Sequence, residues 1–196
     1  MKSVFYTIAL IIAFSLPLAG CGGGGGAPGS TNSTETDVLI KSASLTIPSP
    51  DLDVNVHLCP SGQPEPGLFR EPATLNVQAT KLDPKNANYD PFPGSIEACT
   101  ITYLKANEDP AAPIIEQMTQ YPNCILVDGT TSCSITILDI QRKVDWWKAF
   151  NSGTNKPAEY PTHYIARMQC TYVTKYGKSG AFQTELDLWL ADFNKC

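Results

Sequence analysis

The sequence predicts a mainly β protein, an antiparallel immunoglobulin-like sandwich of about seven strands with one short helical insertion, stapled by disulfides. Three observations predict it. Apolar and polar residues alternate along several segments, 16 prolines and 14 glycines punctuate the chain, and seven cysteines are present. A period of two places alternate side chains on opposite faces of a strand. Short strands between turn-rich loops are typical of a sandwich.

Six segments carry rows of alternating residues that we expect to face the core, and residues 38–47 add a first strand. The rows are Val54, Val56 and Leu58; Leu75, Val77 and Ala79; Cys99, Ile101 and Tyr103; Cys133, Ile135 and Ile137; Tyr164, Ala166, Met168, Cys170 and Tyr172; and Phe182, Leu186, Leu188 and Leu190. The one helix is predicted over residues 140–150, with Val144, Trp147 and Phe150 on a shared face.

Residues 1–20 have the layout of an export signal. Lys2 gives a positive start, residues 4–16 are almost unbroken apolar sequence, and small residues follow Pro17. The apolar stretch is short for a membrane-spanning helix, which needs roughly 20 residues. A plain secretory signal and an uncleaved anchor are the alternatives.

The signal ends in Leu18-Ala19-Gly20-Cys21, which resembles the lipobox of bacterial lipoproteins. The resemblance implies that the Cys21 thiol carries a diacylglyceryl group with acyl chains such as palmitate, and that cleavage makes Cys21 the first residue of the mature protein. Gly22 follows it, and not the aspartate that resembles an inner-membrane retention signal, so the outer membrane is the expected location.

Residues 21–36 are rich in glycine, serine and threonine and predict a flexible tether between the lipid and a folded domain. By the random-coil relation, about 15 such residues reach about 20 Å. Residues 37–196 then form one domain, since this length is typical of a single core. The net charge of −5 argues against nucleic acid and against an anionic lipid surface as partners.

Six cysteines remain beyond Cys21, and an even number in an oxidising compartment predicts up to three disulfides. They are Cys59, Cys99, Cys124, Cys133, Cys170 and Cys196. Cys124 and Cys133 flank an Asp-Gly turn and are our first expected pair. Cys99 and Cys170 lie in two strand-like runs that a bridge could join, which leaves Cys59 for Cys196, although sequence alone does not choose among the connectivities. The sequence contains no C-x-x-C pair, the spacing typical of zinc sites, so we do not expect these cysteines to bind zinc.

One family resemblance covers the last third of the chain. Residues 131–138 (Thr-Ser-Cys-Ser-Ile-Thr-Ile-Leu), residues 161–168 (Pro-Thr-His-Tyr-Ile-Ala-Arg-Met) and Tyr176-Gly177 with the strand after it resemble the last three strands of a fibronectin type III domain. The resemblance implies that Leu138 and Tyr164 are core residues at the corner where the chain crosses between sheets. It carries no functional assignment, because fold does not imply function.

We predict no catalytic residue, no cofactor and no metal. The weak candidate for a calcium site is Asp83, Asn86, Asn88 and Asp90, four oxygen-bearing side chains in one proline-bounded loop. Turn residues of this kind are equally expected in any such loop. The only histidines are His57 and His163, and neither lies in a recognisable hydrolase motif.

Trp146 and Trp147 are the candidate partner-binding residues. Adjacent side chains on a helix point about 100° apart, so one core cannot easily bury both rings. An exposed tryptophan is a common anchor for a protein or glycan. A helical plug that caps the open end of the sandwich is the alternative.

The sequence therefore predicts a membrane-anchored lipoprotein that faces the cell surface or periplasm and acts as a non-catalytic binding or assembly module. Its expected partners are the membrane, through the lipid, and an envelope protein or glycan. The alternatives are a structural accessory subunit of an envelope complex or filament, and a hydrolase or metal-dependent enzyme on the same scaffold that uses His57 or His163.

Overall fold

The computed structural model describes residues 33–55, 68–86, 88–153 and 155–193. These residues form two helices and nine strands. The helices are α1 (Ser33–Thr36) and α2 (Ile140–Asn151), and the strands are β1 (Val38–Thr46), β2 (Asp51–Asp53), β3 (Glu71–Lys81), β4 (Gly94–Lys105), β5 (Met118–Gln120), β6 (Cys124–Leu126), β7 (Gly129–Leu138), β8 (Thr162–Val173) and β9 (Ser179–Ala191).

The strands form two sheets. The smaller has the order β1-β3-β7, and the larger has the order β2-β9-β8-β4-β5, with β6 also paired to β4. All pairs are antiparallel except β2 with β9. The long strands β1, β3 and β7 thus face the long strands β4, β8 and β9, which is the arrangement of an immunoglobulin-like sandwich. The predicted fold class is confirmed.

The predicted alternating rows supply the core between the sheets. Residues of these rows that are essentially inaccessible include Leu75, Val77, Ile101, Ile137, Tyr164, Met168, Cys170, Leu188 and Leu190. Leu138 and Tyr164 are both fully buried. Leu186 departs from its row, because it is half-buried while Thr184 of the same strand is buried.

The structure has more strands than the expected number of about seven. The difference comes from three strands of only three residues each, β2, β5 and β6. Three residues are too few to show a period of two. In the predicted segment around Val54, the strand lies earlier, at Asp51–Asp53, and Val54 itself is buried. Val56 and Leu58 lie outside the described residues.

Helix α2 occupies the predicted position, and Trp147 and Phe150 pack against the core from the predicted shared face, but the fully buried residues lie elsewhere on the helix. The side chain of Asp139 caps the helix by accepting a hydrogen bond from the Arg142 amide at 2.9 Å. The buried residues are Lys143 and Trp146, one position before the expected Val144 and Trp147. Lys143 is buried because its ammonium group pairs with the carboxylate of Glu71.

Two disulfides join the cysteines that the sequence analysis paired first. Cys99 bonds Cys170, its direct cross-strand neighbour on β4 and β8, and Cys124 bonds Cys133 across the turn between β6 and β7. The first bridge therefore lies within the larger sheet. Cys21, Cys59 and Cys196 fall outside the described residues.

The strand directions give the sandwich two distinct ends. The tether end, where the chain enters from residue 33, carries loops 82–93 and 174–178, because β1 begins opposite the end of β3 and β8 ends at Val173. The far end carries loop 106–117 and helix α2, because β4 ends beside the start of β8. The 12 residues of β8 span about 40 Å from end to end at about 3.3 Å each. None of the described helices is long and apolar enough to cross a membrane.

Candidate functional site

A groove of about 520 Å³ opens at the far end of the larger sheet. It runs between the final residues of β4, the start of β8 and loop 106–117. Its lining is mostly apolar and consists of Tyr103, Leu104, Lys105, Ala106, Glu108, Pro113, Ile114, Ile115, Tyr164 and Ile165. We call this feature the far-end groove.

The far-end groove lies where the hairpin of β4 and β5 comes apart. Pairing between these strands stops at Ile101 opposite Met118. If this register continued, Leu104 would lie opposite Ile115, but these two residues are not paired. One cause is visible: the Arg142 guanidinium of α2 takes the carbonyls of residues 116 and 117 instead, at 2.8 and 2.5 Å.

Loop 106–117 is held in place by polar contacts from both of its flanks. The Asp109 carboxylate accepts hydrogen bonds from the amides of Ala158 at 2.6 Å and Ala111 at 2.8 Å, which ties the loop to the segment before β8. The Tyr164 hydroxyl donates to the carbonyl of Pro113 at 2.7 Å. The groove wall therefore needs little ordering when a partner binds, and this lowers the entropic cost of binding.

The protonation states of these groups suit their roles. The hydrogen bonds from the amides of Ala158 and then Ala111 hold the pKa of the Asp109 carboxyl below its usual range, so it is an anionic acceptor near neutral pH. Burial raises the pKa of Tyr164 well above its ordinary value. Burial likewise raises the pKa of Tyr103, whose hydroxyl donates to the carbonyl of Ile137 at 2.7 Å. Both phenols remain neutral donors.

One apolar side chain of the groove wall projects into solvent. Ile114 is 82% exposed, whereas its neighbours Pro113 and Ile115 are buried. The far-end groove therefore combines an apolar lining with an exposed isoleucine on an ordered loop. Protein docking sites have this composition, and their apolar centre becomes buried only when the partner binds.

The structure separates the two candidate tryptophans. Trp146 is 1% exposed, and its indole N–H donates to the Tyr164 hydroxyl at 2.8 Å, so it cannot serve as an exposed anchor. Trp147 is half-buried and stacks on Phe150 with ring centroids 5.6 Å apart. For Trp146, the burial fits the alternative, a helical plug that caps the open end of the sandwich.

The four calcium candidates lie at the tether end, where their contacts are those of loop turns. A carboxylate oxygen of Asp83 accepts from the amide of Lys85 at 3.0 Å, and one of Asp90 accepts from the amide of Phe92 at 3.1 Å. Asn86 and Asn88 are exposed. Among the described residues, no group of three or more histidine, cysteine, aspartate or glutamate side chains could hold a metal ion.

His163 lies on the outer face of the larger sheet, next to the groove. Its imidazole Nε2 is 2.8 Å from Asp187 Oδ1, and its ring stacks on Trp189 with centroids 4.5 Å apart. Within the described chain, Asp187 is the sole hydrogen-bond partner of this imidazole. His57 lies outside the described residues.

The far-end groove was not among the candidate sites predicted from the sequence. A signal exists in residues 110–115, Pro-Ala-Ala-Pro-Ile-Ile, where apolar residues and two prolines stand between strands and cannot continue the ladder. Its significance depends on the contacts from Arg142, Asp109 and Tyr164, which only the fold brings together. No protein-family model matches this chain, and no curated protein gives a significant match to its sequence.

Proposed function

We propose that this protein is a lipid-anchored, non-catalytic binding or assembly module of the bacterial cell envelope, which docks its partner with its far end. The observation that carries the proposal is the opposition of two features: the chain enters the sandwich at the tether end, and the preorganised groove lies at the far end.

The proposal joins the lipobox-like signal to this geometry. Acylation of Cys21 fixes one end of the chain at a membrane, and each buried methylene of an acyl chain contributes about 0.8 kcal/mol. The glycine-rich residues 21–36 allow the folded domain to extend away from the membrane surface. A sandwich held by its tether end then points loop 106–117 and Ile114 away from the attachment point, toward an envelope protein or glycan.

Site-specific photocrosslinking of the full-length protein in the native envelope tests this orientation. A photoreactive residue replaces Ile114 at the far end, and matched controls carry it at Tyr176 of the tether end, 48% exposed, and at Ile125 of β6, 65% exposed. All three side chains are solvent-accessible, so differences between them report location.

We expect a discrete adduct from position 114 and weaker or absent adducts from positions 125 and 176. The adduct should diminish when Cys21→Ser releases the protein from the membrane, because tethering raises the local concentration of a membrane-held partner. Equal labelling from all three positions, or a discrete adduct only from position 176, would overturn the proposal.

A further inference from the structure

We propose that the tether end of the sandwich rests on the membrane that holds the lipid anchor, through apolar and aromatic side chains that insert among the lipid headgroups. We call these side chains the tether-end rim, and they are Leu39, Leu82, Tyr89, Val127 and Tyr176. The inference rests on the acylation of Cys21 in the proposed function. It goes beyond that function because it assigns a membrane contact to the folded domain itself.

The first argument is the point at which the chain joins the sandwich. Thr36 is buried, and its hydroxyl lies 3.1 Å from the hydroxyl of Tyr172. The carbonyl of Asp37 accepts a hydrogen bond from the Leu82 amide at 2.9 Å, and its carboxylate accepts one from the Asp83 amide at 3.1 Å. Residues 36 and 37 are therefore fixed beside a member of the rim, and the chain toward the lipid starts from this point.

The second argument is the length of that chain. Only the eleven residues 22–32 lie between the acylated cysteine and residue 33. Eleven residues reach at most about 40 Å when fully extended, and about 18 Å by the random-coil relation. A tether of this length keeps the tether end close to the bilayer. It also raises the local concentration of lipid at the rim, so that a surface with modest affinity for lipid stays occupied.

The third argument is the apolar composition of the rim along the smaller sheet. Leu39 lies opposite Thr80 near the end of β3, and Val127 lies in the turn before β7, whose first residue pairs with Ala79. Leu39 is 37% exposed, and Leu82 and Val127 are each 38% exposed. Neighbouring strands thus place three apolar side chains at the same end of the sandwich, where a bilayer interface can cover them together.

Two tyrosines complete the rim along the larger sheet. Tyr176 lies in the turn between β8 and β9, and its ring stacks on Tyr89 with centroids 4.7 Å apart. The ammonium of Lys175 lies 5.8 Å from the centroid of the Tyr176 ring. Tyrosine is enriched at membrane–water interfaces because its ring is apolar and its hydroxyl is polar, and lysine can lay its apolar stem along lipid while its ammonium stays in water.

The charges at this end do not select an anionic membrane. Segments 33–37, 81–93, 127–129 and 174–178 contain four lysines and five carboxylates, a net charge of −1. The carboxylates of Asp37, Asp83 and Asp90 each accept a hydrogen bond from a backbone amide of loop 82–93. We therefore expect the contact to depend on the apolar rim, and to depend little on salt or on anionic lipid.

The test compares two tyrosines of equal exposure at opposite ends. Tyr176 and Tyr160 are each 48% exposed, and Tyr160 precedes β8 at the far end. The native lipidated protein is reconstituted at low density in phosphatidylcholine vesicles, and mass spectrometry measures the rate at which hydroxyl radicals oxidise each tyrosine. The unlipidated Cys21→Ser protein, mixed with the same vesicles, gives the rates without membrane contact. We expect lipidation to slow oxidation of Tyr176 by about threefold or more and to leave Tyr160 unchanged.

A pair of double variants tests the rim itself. Leu82→Ser with Val127→Ser should restore at least half of the oxidation rate lost at Tyr176, because two apolar contacts with lipid are removed. The matched control is Phe69→Ser with Ile140→Ser, which removes two side chains of the far end that are 64% and 46% exposed, and it should restore nothing. All four side chains are solvent-exposed, so we expect the variants to fold.

The proposal is overturned if Tyr176 is oxidised equally fast with and without the lipid, or if Tyr160 is protected instead. Protection that requires anionic lipid and disappears at high salt would assign the contact to the lysines. Protection that appears only at high protein density would assign it to a second copy of the chain, and either result excludes the rim as the membrane contact.

Flotation of the vesicles separates these failures from a failure of the proposed function. A protein that floats with the vesicles while Tyr176 stays fully reactive keeps its lipid anchor and loses only the contact proposed here. A native protein that does not float has no anchor, and this result would overturn both proposals.

Discussion

At the scale of single residues, the far end is organised by polar side chains in unusually buried positions. Lys143 and Trp146 occupy the inner face of α2, where simple periodicity favours apolar residues. Lysine is rarely fully buried unless it is paired, and here it pairs with Glu71. Sequence reasoning missed this face because the partners, Glu71 and Tyr164, come from distant parts of the chain.

The two adjacent tryptophans should differ in their contributions to stability. Trp146→Ala removes a fully buried ring and the hydrogen bond to Tyr164, and we expect it to lower the free energy of unfolding by about 3–5 kcal/mol. Trp147→Ala removes a half-buried ring from a stack and should cost about 1 kcal/mol. Chemical denaturation of both variants measures the difference. Equal losses would contradict the assignment of Trp146 as the core residue.

Asp109 should make the stability of loop 106–117 depend on pH. Its pKa is depressed in the folded state by the amides of Ala158 and Ala111, so its stabilising effect is present above the ordinary aspartate pKa of about 3.9 and is lost as the pH falls through the folded value. Thermal unfolding of Asp109→Asn should therefore differ from the unaltered protein at neutral pH and converge with it in acid.

The control for this effect is Asp128→Asn, which changes an exposed carboxylate of the turn before β7. Its unfolding temperature should follow that of the unaltered protein across the same pH range. A difference between Asp109→Asn and the unaltered protein that stays constant from neutral pH into acid would show that the carboxylate charge does not hold the loop.

At the scale of elements, the long strands could be predicted from sequence and the short ones could not. β3, β4, β7, β8 and β9 each run for ten residues or more, enough to show alternation against a buried core. The three-residue strands depend on pairing partners that sequence does not reveal. The opened β4–β5 hairpin belongs to the same class, because Arg142 of α2 decides where its pairing ends.

The two disulfides join elements across chain segments of different length, and their removal should cost different amounts. Cys99 and Cys170 are 71 residues apart, and Cys124 and Cys133 are 9 apart. In the chain-entropy account, loss of the first lowers the free energy of unfolding by about 4 kcal/mol and loss of the second by about 3 kcal/mol. Denaturation of the paired alanine variants measures both. A larger loss from Cys124→Ala with Cys133→Ala would contradict this order.

At the scale of the whole molecule, the topology assigns different surroundings to the two ends. The strand order brings residue 33 and loops 82–93 and 174–178 to one end, and α2 with the far-end groove to the other. The fold class followed from the sequence because alternation is local and repeated. The location of the groove did not, because it arises from the junction of β4, β8, α2 and loop 106–117.

The orientation of the sandwich depends on attachment of the chain at the tether end. Loop 106–117 faces away from a membrane only if the chain is anchored before residue 33. A protein released from the membrane would have no defined orientation, and the distinction between the two ends would lose its functional meaning.

The most direct test is mass spectrometry of the N-terminal peptide from the native protein, extracted from membranes with detergent. We predict that this peptide begins at Cys21 and carries the mass of a diacylglyceryl group on the thiol, and that Cys21→Ser abolishes both the modification and the membrane association. A native N-terminal peptide that begins at Met1, or an unmodified Cys21 thiol in membrane-bound protein, would contradict the account.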